Sequence, residues 1–273
     1  MVKVGLVLGG GGARGYAHMG VLKALEERDV EPVAIAACSM GGIVGALAGA
    51  GHTADEMLEQ ARSFKLTELL DRGGKEAINR GVKLEKVLAK YLPASFEELR
   101  IPLKVTACDI QEGVQVVFDE GDLRAAIRAT ISLPGVFPPA RVGGKILLDG
   151  GLVNNLPVDI IRAMTHEPVI AVDVAAPPDC KLDFEEHTSW FSSIVRGDLR
   201  RPLIMEIVMK AYDIPQRMLT DARVALNPPD IFVRPHIDHE VKVEDFEDWR
   251  QPFEAGYEAM REALEEQGAD IGL

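Results

Sequence analysis

The chain has 273 residues, 47% of them hydrophobic, and its 30 basic and 43 acidic side chains give a formal charge of −13 at pH 7. This apolar content excludes a disordered chain, and the acidic balance argues against nucleic-acid binding because phosphate would be repelled. The three cysteines are too few and too scattered for a disulfide framework or a metal cluster, which predicts a cytoplasmic location and no bound metal. No apolar run is long enough to span a bilayer, and the first residues lack the pattern of a secretory signal.

The predicted elements alternate between strands and helices from the amino terminus onward. A strand at 4–8 passes through a glycine-rich turn into a helix, and a second strand at 33–37 leads into a helix that ends at Ala50. Two such units in succession favour a parallel sheet. Residues 53–100 are expected to be mainly helical, with breaks at Gly73-Gly74 and Gly81, and a hairpin is expected over 101–118.

The same alternation continues through the rest of the chain. Helices are predicted at 122–130, at 157–164, from Pro202 onward and at about 245–267, and strands at 145–148, 169–174 and 231–233. The last helix is acidic, with Met260 and Leu264 in its inward stripe. Without a repeat or a linker to mark a boundary, the chain is predicted to be one α/β domain over 1–273.

Ser39 lies between a predicted strand and a helix of small residues, in the segment Ala37-Cys38-Ser39-Met40-Gly41. A tight strand-to-helix turn of this kind exposes a nucleophilic hydroxyl, and small neighbours avoid clashes with the flanking backbone. The amino terminus of the next helix would also favour developing negative charge. Serine is equally common as an ordinary helix cap, so this segment alone leaves both roles open.

The turn after the first strand reads Gly9-Gly10-Gly11-Gly12-Ala13-Arg14-Gly15, and 12 of the 26 glycines lie within the first 51 residues. Glycine-rich turns that enter a helix present backbone amides to an anion, either a bound phosphate or a transient oxyanion. The run from Gly10 to Gly15 also satisfies the dinucleotide-binding pattern. That pattern, however, requires an acid at the end of the second strand, where this chain has Cys38 and Ser39.

Asp149 ends a predicted strand and is followed by two glycines. Asp-Gly is common in turns, so an ordinary turn is one interpretation. The other is a catalytic base, because parallel strands present their carboxyl ends together and would place this carboxylate near Ser39. A carboxyl with an ordinary pKa of about 4 is a weak base at pH 7, and it would need a short, desolvated contact with the hydroxyl.

Together these three segments resemble the patatin-like phospholipase family. The family's Gly-Gly-Gly-x-Arg-Gly block is matched by Gly10 to Gly15, its serine elbow by Ser39-Met40-Gly41, and its Asp-Gly-Gly block by Asp149 to Gly151. The run from Gly9 to Gly20 and the loop from Pro134 to Pro139 are similar to the bacterial branch related to neuropathy target esterase. The resemblance covers residues 4–174 and implies a three-layer α/β/α fold with a mainly parallel central sheet.

By that resemblance the chain is expected to be a serine acyl hydrolase that cleaves fatty-acyl esters of phospholipids or lysophospholipids, with no metal or organic cofactor. Ser39 is the expected nucleophile and Asp149 its proton acceptor. Gly10, Gly11 and Gly12 would hold the oxyanion, with Arg14 positioning that loop or adding charge. Transient contact with a membrane surface is compatible with such a substrate, whereas the acidic carboxyl-terminal segment argues against strong docking onto anionic lipid.

Two features leave alternatives open. The family elbow usually begins with glycine, and Ala37 would be strained there if that position needed a positive φ, which would suit a weakly active or inactive protein that binds lipids or a protein partner. A late histidine, His236 or His239, would instead complete a Ser-Asp-His triad. His18, inside the first helix, is expected to be a structural histidine.

The long helix from Pro202 has a wide apolar face that includes Ile207 and Val208, and Trp190 and Phe191 precede it. Burial in the core is the default interpretation. A lid, an acyl-chain groove and a dimer contact are the alternatives.

Overall fold

The computed structural model describes residues 1–63, 80–176, 203–238, 241 and 246–273. Within these residues helices pack on both sides of a central sheet. The strands are β1 (Val2–Leu8), β2 (Val30–Cys38), β3 (Leu103–Asp109), β4 (Val114–Phe118), β5 (Ala140–Val142), β6 (Lys145–Asp149), β7 (Val169–Val172) and β8 (Ile231–Val233). The helices are α1 (Tyr16–Glu27), α2 (Met40–Ala50), α3 (Ala54–Ser63), α4 (Arg80–Tyr91), α5 (Leu123–Thr130), α6 (Val158–Met164), α7 (Leu203–Leu226) and α8 (Arg250–Gln267).

The sheet has the strand order β5-β6-β3-β2-β1-β7-β8, and β4 pairs with β3 outside this path. From β3 across to β8, neighbouring strands on the path run parallel. By contrast, β4 and β6 are antiparallel to β3, and β5 is antiparallel to β6. The predicted α/β fold with a mainly parallel sheet is therefore confirmed, and its antiparallel strands gather at one side.

Alternating side chains of the central strands build apolar layers on both faces of the sheet. Leu6 and Leu8 of β1 belong to the larger core, which also contains buried residues of α1, α2 and α8. Val7, which points the other way, packs with Ile161 of α6 and with neighbouring strand residues. The sheet is thus covered on both sides, and its carboxyl-terminal edge remains for a site.

Some predicted details differ from the structure. The short strand β5 was not predicted, because three residues give too little pattern to identify a strand. Gly81 lies inside α4 instead of breaking it, which costs a helix only about 1 kcal/mol. Ile207 and Val208 of α7 are 37% and 44% exposed, so the expectation of core burial is wrong for this stretch. Gly73-Gly74, Trp190 and Phe191 lie outside the described residues.

Helix α8 begins at Arg250, five residues later than predicted from the sequence. Met260 and Leu264 are buried in the larger core, while Glu258 and Glu262 are exposed, as the predicted stripe requires. Acidic side chains of this helix therefore lie on its solvated face. Across the described ranges, no helix combines the length and the apolar character needed to cross a membrane.

Candidate active site

Ser39 occupies a sharp turn between β2 and α2. Its torsions of φ 51° and ψ −124° lie in a region that residues with a side chain seldom adopt. The turn is held by a hydrogen bond of 2.7 Å from the Ser39 N–H to Thr130 Oγ1 and by one of 2.8 Å from the Gly42 N–H to the Ser39 carbonyl. Gly41 completes it, because a Cβ there would collide with the Leu8 carbonyl. The hydroxyl is thereby held in a partly exposed position at the end of β2.

Ala37, the residue that departs from the family elbow, is an ordinary strand residue. It pairs with Leu8 of β1 and with Val105 of β3. Among the described residues other than glycine, only Asp29 and Ser39 have a positive φ. The strain expected at Ala37 is therefore not present, and the sequence argument for an inactive protein loses its physical basis.

Asp149 meets Ser39 at the end of β6. The Ser39 hydroxyl donates to Asp149 Oδ2 at 2.6 Å, and the carboxylate residue is only 2% exposed. The second oxygen, Oδ1, accepts hydrogen bonds from the Gly151 N–H at 2.8 Å and from the Cys38 thiol at 3.6 Å. Both carboxylate oxygens therefore have donors, which fixes the orientation of the side chain.

The register of β3 explains why the two residues meet. Cys38 of β2 pairs with Thr106, and Asp149 of β6 pairs with the next residue, Ala107. The sequence analysis placed Asp149 near Ser39 because parallel strands present their carboxyl ends at one edge. That reason is wrong, because β6 runs antiparallel to β3, although Asp149 does lie beside Ser39. The strand register, and not a shared strand direction, brings the carboxylate to Ser39.

Burial raises the pKa of Asp149 from 3.8 to about 6, and hydrogen bonds from Ser39, Gly151, Cys38 and Tyr212 oppose that rise. A carboxyl with such a pKa is still about 90% ionised at pH 7. It is also a much stronger base than an exposed aspartate. The geometry therefore meets the condition stated from the sequence, a short contact with a desolvated carboxylate that can accept the serine proton.

The groups around Asp149 include side chains that the sequence did not reveal. Burial, together with the Asp149 charge, raises the pKa values of the Cys38 thiol and the Tyr212 hydroxyl well above their ordinary range, so both remain protonated donors. Gln216 Nε2 in turn donates to the Tyr212 oxygen at 3.4 Å. Of these donors to Asp149, only Cys38 could have been suspected from the sequence, because it is adjacent to Ser39. Tyr212 and Gln216 lie on α7, where no motif marks them.

The glycine-rich turn lies against these residues, and Gly10, Gly11, Gly12 and Arg14 line the same cavity as Ser39 and Asp149. The Gly10 N–H donates to the Asn155 carbonyl at 3.3 Å and is therefore partly engaged. Gly11 and Gly12 begin the 3-10 helix Gly12–Gly15, whose first amides have no acceptor within the helix. These two amides are therefore not engaged within the helix.

Arg14 is buried at the end of this turn. Its Nε donates to the Val174 carbonyl at 3.2 Å, and its charge also lowers the pKa of Asp213 on α7, although burial of that carboxyl outweighs the effect. The side chain thus ties the glycine turn to the chain that follows β7. This geometry fits the positioning role that the sequence assigns to it.

Among the described residues, no histidine lines the cavity that contains Ser39. His18 is fully buried and donates from Nε2 to the Gly9 carbonyl at 2.7 Å, and burial lowers its pKa to about 4, which fits a structural role. His236 is exposed and does not line the cavity, and His239 lies outside the described residues. In the part of the chain that the structure describes, no group of three or more His, Cys, Asp or Glu side chains could hold a metal ion.

A cavity of about 170 Å³ opens beside Ser39. One water needs only about 10–15 Å³ of such space, so the cavity has room for a chain of heavy atoms. Most of its wall is apolar, with side chains from α1, α2, α3, α4, α7 and the loop at 132–139. The apolar lining includes Ile43, Leu47, Leu88, Leu92, Val136 and Phe137.

Comparison with known proteins places this geometry in a family. Residues 6–162 match the family model described as patatin-like phospholipase. An uncharacterised NTE family protein of Mycobacterium tuberculosis is 39% identical over 203 residues, which are 71% of this chain and 56% of that protein. Human patatin-like phospholipase domain-containing protein 6 is 34% identical over 194 residues, 66% of this chain and 14% of that protein.

Solved structures share the fold at much lower identity. VipD from Legionella pneumophila superimposes with a TM-score of 0.60 at 14% identity, over 97% of this chain and 67% of that one. The chain spans little more than half the length of the mycobacterial relative, so the comparison bears on this part of such proteins. The match to the family model over 6–162 shows that the chain belongs to the patatin-like phospholipase family.

Proposed function

We propose that this protein is a serine acyl hydrolase that cleaves fatty-acyl esters of phospholipids or lysophospholipids with a dyad of Ser39 and Asp149. The observation that carries the proposal is the hydrogen bond of 2.6 Å from Ser39 Oγ to the buried Asp149 Oδ2. A serine hydroxyl becomes a useful nucleophile when a base lies within hydrogen-bond distance of it. Here the base is a carboxyl whose pKa burial has raised to about 6.

In the proposed first step, Ser39 Oγ attacks the ester carbonyl carbon while its proton passes to Asp149 Oδ2. The amides of Gly11 and Gly12, beside Gly10, stabilise the negative charge on the carbonyl oxygen. Collapse of this intermediate breaks the ester bond, and the leaving alcohol takes the proton from Asp149. The loss of one oxyanion donor typically costs about 10²–10³ in rate, so this turn matters as much as the dyad.

The lipid substrate is supported by the apolar wall of the cavity and by the family. Each methylene group that leaves water contributes about 0.8 kcal/mol, so a fatty-acyl chain would gain affinity along the row of aliphatic side chains.

Cys38 and Cys108 are both free and buried, which fits the cytoplasmic location expected from the sequence.

Labelling with a fluorophosphonate probe tests the nucleophile directly. We expect the adduct on Ser39, with no labelling and no ester hydrolysis in Ser39→Ala. Ser95→Ala is the control, because that serine caps the short helical turn Phe96–Glu98 and does not line the cavity. Folded wild-type protein that is not labelled at Ser39 would contradict the proposal and favour a binding protein.

Two further variants separate the dyad from a triad. Asp149→Asn should lower kcat by about 10²–10⁴-fold, the usual contribution of a general base. His236→Ala should leave hydrolysis near the wild-type rate, because that side chain is exposed and outside the cavity. Retained hydrolysis in Asp149→Asn would eliminate the dyad.

A further inference from the structure

The cavity beside Ser39 follows one face of helix α2. Met40, Ile43 and Leu47 all line it, and residues three or four positions apart lie on the same face of a helix. Ser39 immediately precedes α2, so the helix leads away from the nucleophile. At about 1.5 Å per residue, Ile43 lies about 6 Å and Leu47 about 12 Å from Ser39 along the helix axis. The cavity is therefore a groove that runs away from the Ser39 hydroxyl.

The far part of the groove lies between α2, α3 and the end of α4. Three residues separate α2 from α3, and Met57, in the first turn of α3, lines the groove. Leu92 follows α4 and also lines it, and the Leu92 carbonyl accepts hydrogen bonds from Arg124 at the start of α5. Thr130, which accepts from the Ser39 N–H, lies six residues or about 9 Å further along α5. Leu92 is thus also at the end of the groove that is away from Ser39.

The volume and the length of this groove agree with one acyl chain. A water-sized group needs about 10–15 Å³ of such space, so the 170 Å³ of the cavity holds roughly 11–17 groups of that size, methylenes included. A fully extended chain of single bonds advances about 1.2 Å per bond, so about ten bonds reach from Ser39 to the level of Leu47. Both measures correspond to one chain of about ten to twelve carbons together with its ester group.

We propose that the groove binds a single unbranched acyl chain of about ten to twelve carbons and that Leu47 sets this limit, an inference that rests on the proposed function. With the ester carbonyl at Ser39 Oγ, the chain passes Ile43 near about its fifth carbon and Leu47 near about its tenth. Leu47, Met57 and Leu92 are at most 5% exposed, so they surround the far end of the chain with buried apolar surface. Carbons beyond that end gain less from leaving water.

Hydrolysis of a series of 4-nitrophenyl esters measures the limit. The esters carry straight acyl chains of about 4 to 14 carbons, a range that brackets the length of the groove, and each is used below the concentration at which it aggregates. For wild type, kcat/KM should rise by up to about 4-fold with each added methylene and should stop rising at about ten to twelve carbons. A value of kcat/KM that does not depend on chain length, or that still rises at the longest chain, would overturn the inference.

Two variants test whether the chain follows α2. Leu47→Trp should lower the limit to about eight carbons and Ile43→Trp to about five, because the larger side chain blocks the groove at a different distance from Ser39 in each. The ratio of kcat/KM for the ten-carbon ester to that for the four-carbon ester should fall at least about 10-fold in both. Leu58→Trp is the matched control, because Leu58 is also a buried leucine of a neighbouring helix but does not line the cavity. Its ratio should equal that of wild type.

Other outcomes would overturn the inference. If Leu47→Trp and Ile43→Trp share one limit, or if Leu58→Trp shifts the limit as they do, the chain does not run along α2. Should the tryptophan variants fail to fold, Leu47→Ala is compared with Leu58→Ala, and only the former should extend the limit, by about two carbons. An unchanged limit in Leu47→Ala would also refute the role of Leu47. Wild-type protein that neither labels at Ser39 nor hydrolyses any ester would overturn the proposed function instead, so the two failures are distinguishable.

Discussion

Replacing Asp149 by asparagine should stabilise the fold at neutral pH while it removes hydrolysis. Burial raises the pKa of this carboxyl from 3.8 to about 6, so the folded chain holds the proton more tightly than the unfolded chain does. Between about pH 4 and 6 the folded state binds more protons, and the stability of the wild type therefore falls as the pH rises through that window. Two pKa units at 1.36 kcal/mol each amount to about 3 kcal/mol at pH 7.

Urea titrations of wild type and Asp149→Asn at a series of pH values, followed by tryptophan fluorescence, measure this effect. The free energy of unfolding of the variant relative to wild type should rise by about 3 kcal/mol between about pH 4 and 7 and then level off. If the asparagine amide accepts the Gly151 and Cys38 hydrogen bonds less well than the carboxylate does, the stability of the variant is lowered by the same amount at every pH. This constant loss cancels when the stabilities at two pH values are subtracted.

Asp109→Asn is the matched control of opposite sign. The hydrogen bond of 2.9 Å from Lys145 lowers the pKa of Asp109, so its contribution to stability is present at neutral pH and is lost on acidification. Relative to wild type, this variant should lose stability as the pH rises. If instead the difference between Asp149→Asn and wild type stays constant from pH 4 to 7, Asp149 titrates normally and the argument for a basic, buried carboxylate fails.

The acid limb of kcat/KM for a neutral ester should lie near pH 6, because catalysis requires ionised Asp149, and a limb near pH 4 would contradict the raised pKa. Tyr212→Phe should move that acid limb to higher pH, because the Tyr212 hydroxyl favours the ionised form of Asp149. The control Tyr257→Phe loses only a hydrogen bond to Glu27 and should leave the acid limb in place. Ala37→Gly should lower the free energy of unfolding by about 0.5–1 kcal/mol without raising kcat, because Ala37 is a regular strand residue, and a faster variant would show that the elbow is strained there.

The strand and helix order was predictable because each element has a local cause. Short apolar runs bounded by glycine predict buried strands, and the Glu112-Gly113 turn marks a hairpin that the structure contains. The two glycine turns and Ser39 could be found in the same way, since a strand-to-helix turn is defined by adjacent residues. The glycine turns and Ser39 lie within residues 6–162, which match the family model.

The environment of the base could not be predicted, because it depends on pairing between distant segments. The direction of β6 relative to β3 has no signature in the five residues of β6, yet this pairing places Asp149 beside Cys38. Likewise, no local feature of the sequence shows that Tyr212 in α7 donates to Asp149 instead of simply packing among apolar side chains. The sequence could identify Ser39 and Asp149 as candidates for the dyad, but not the groups that set the pKa of Asp149.

Helix α7 links the strength of the base to a part of the chain outside the matched residues 6–162. A Cβ on Gly151 would lie 2.5 Å from Gln216 Nε2, so α7 packs directly over the backbone whose amide holds Asp149 Oδ1. The same helix supplies Met209 to the cavity and Tyr212 to the carboxylate. Displacement of α7 would therefore act on the pKa of Asp149 in two opposing ways, because admitted water would lower it and loss of the Tyr212 hydrogen bond would raise it. The three family motifs therefore contain the proposed nucleophile and base, whereas the pKa of that base also depends on a helix that those motifs do not include.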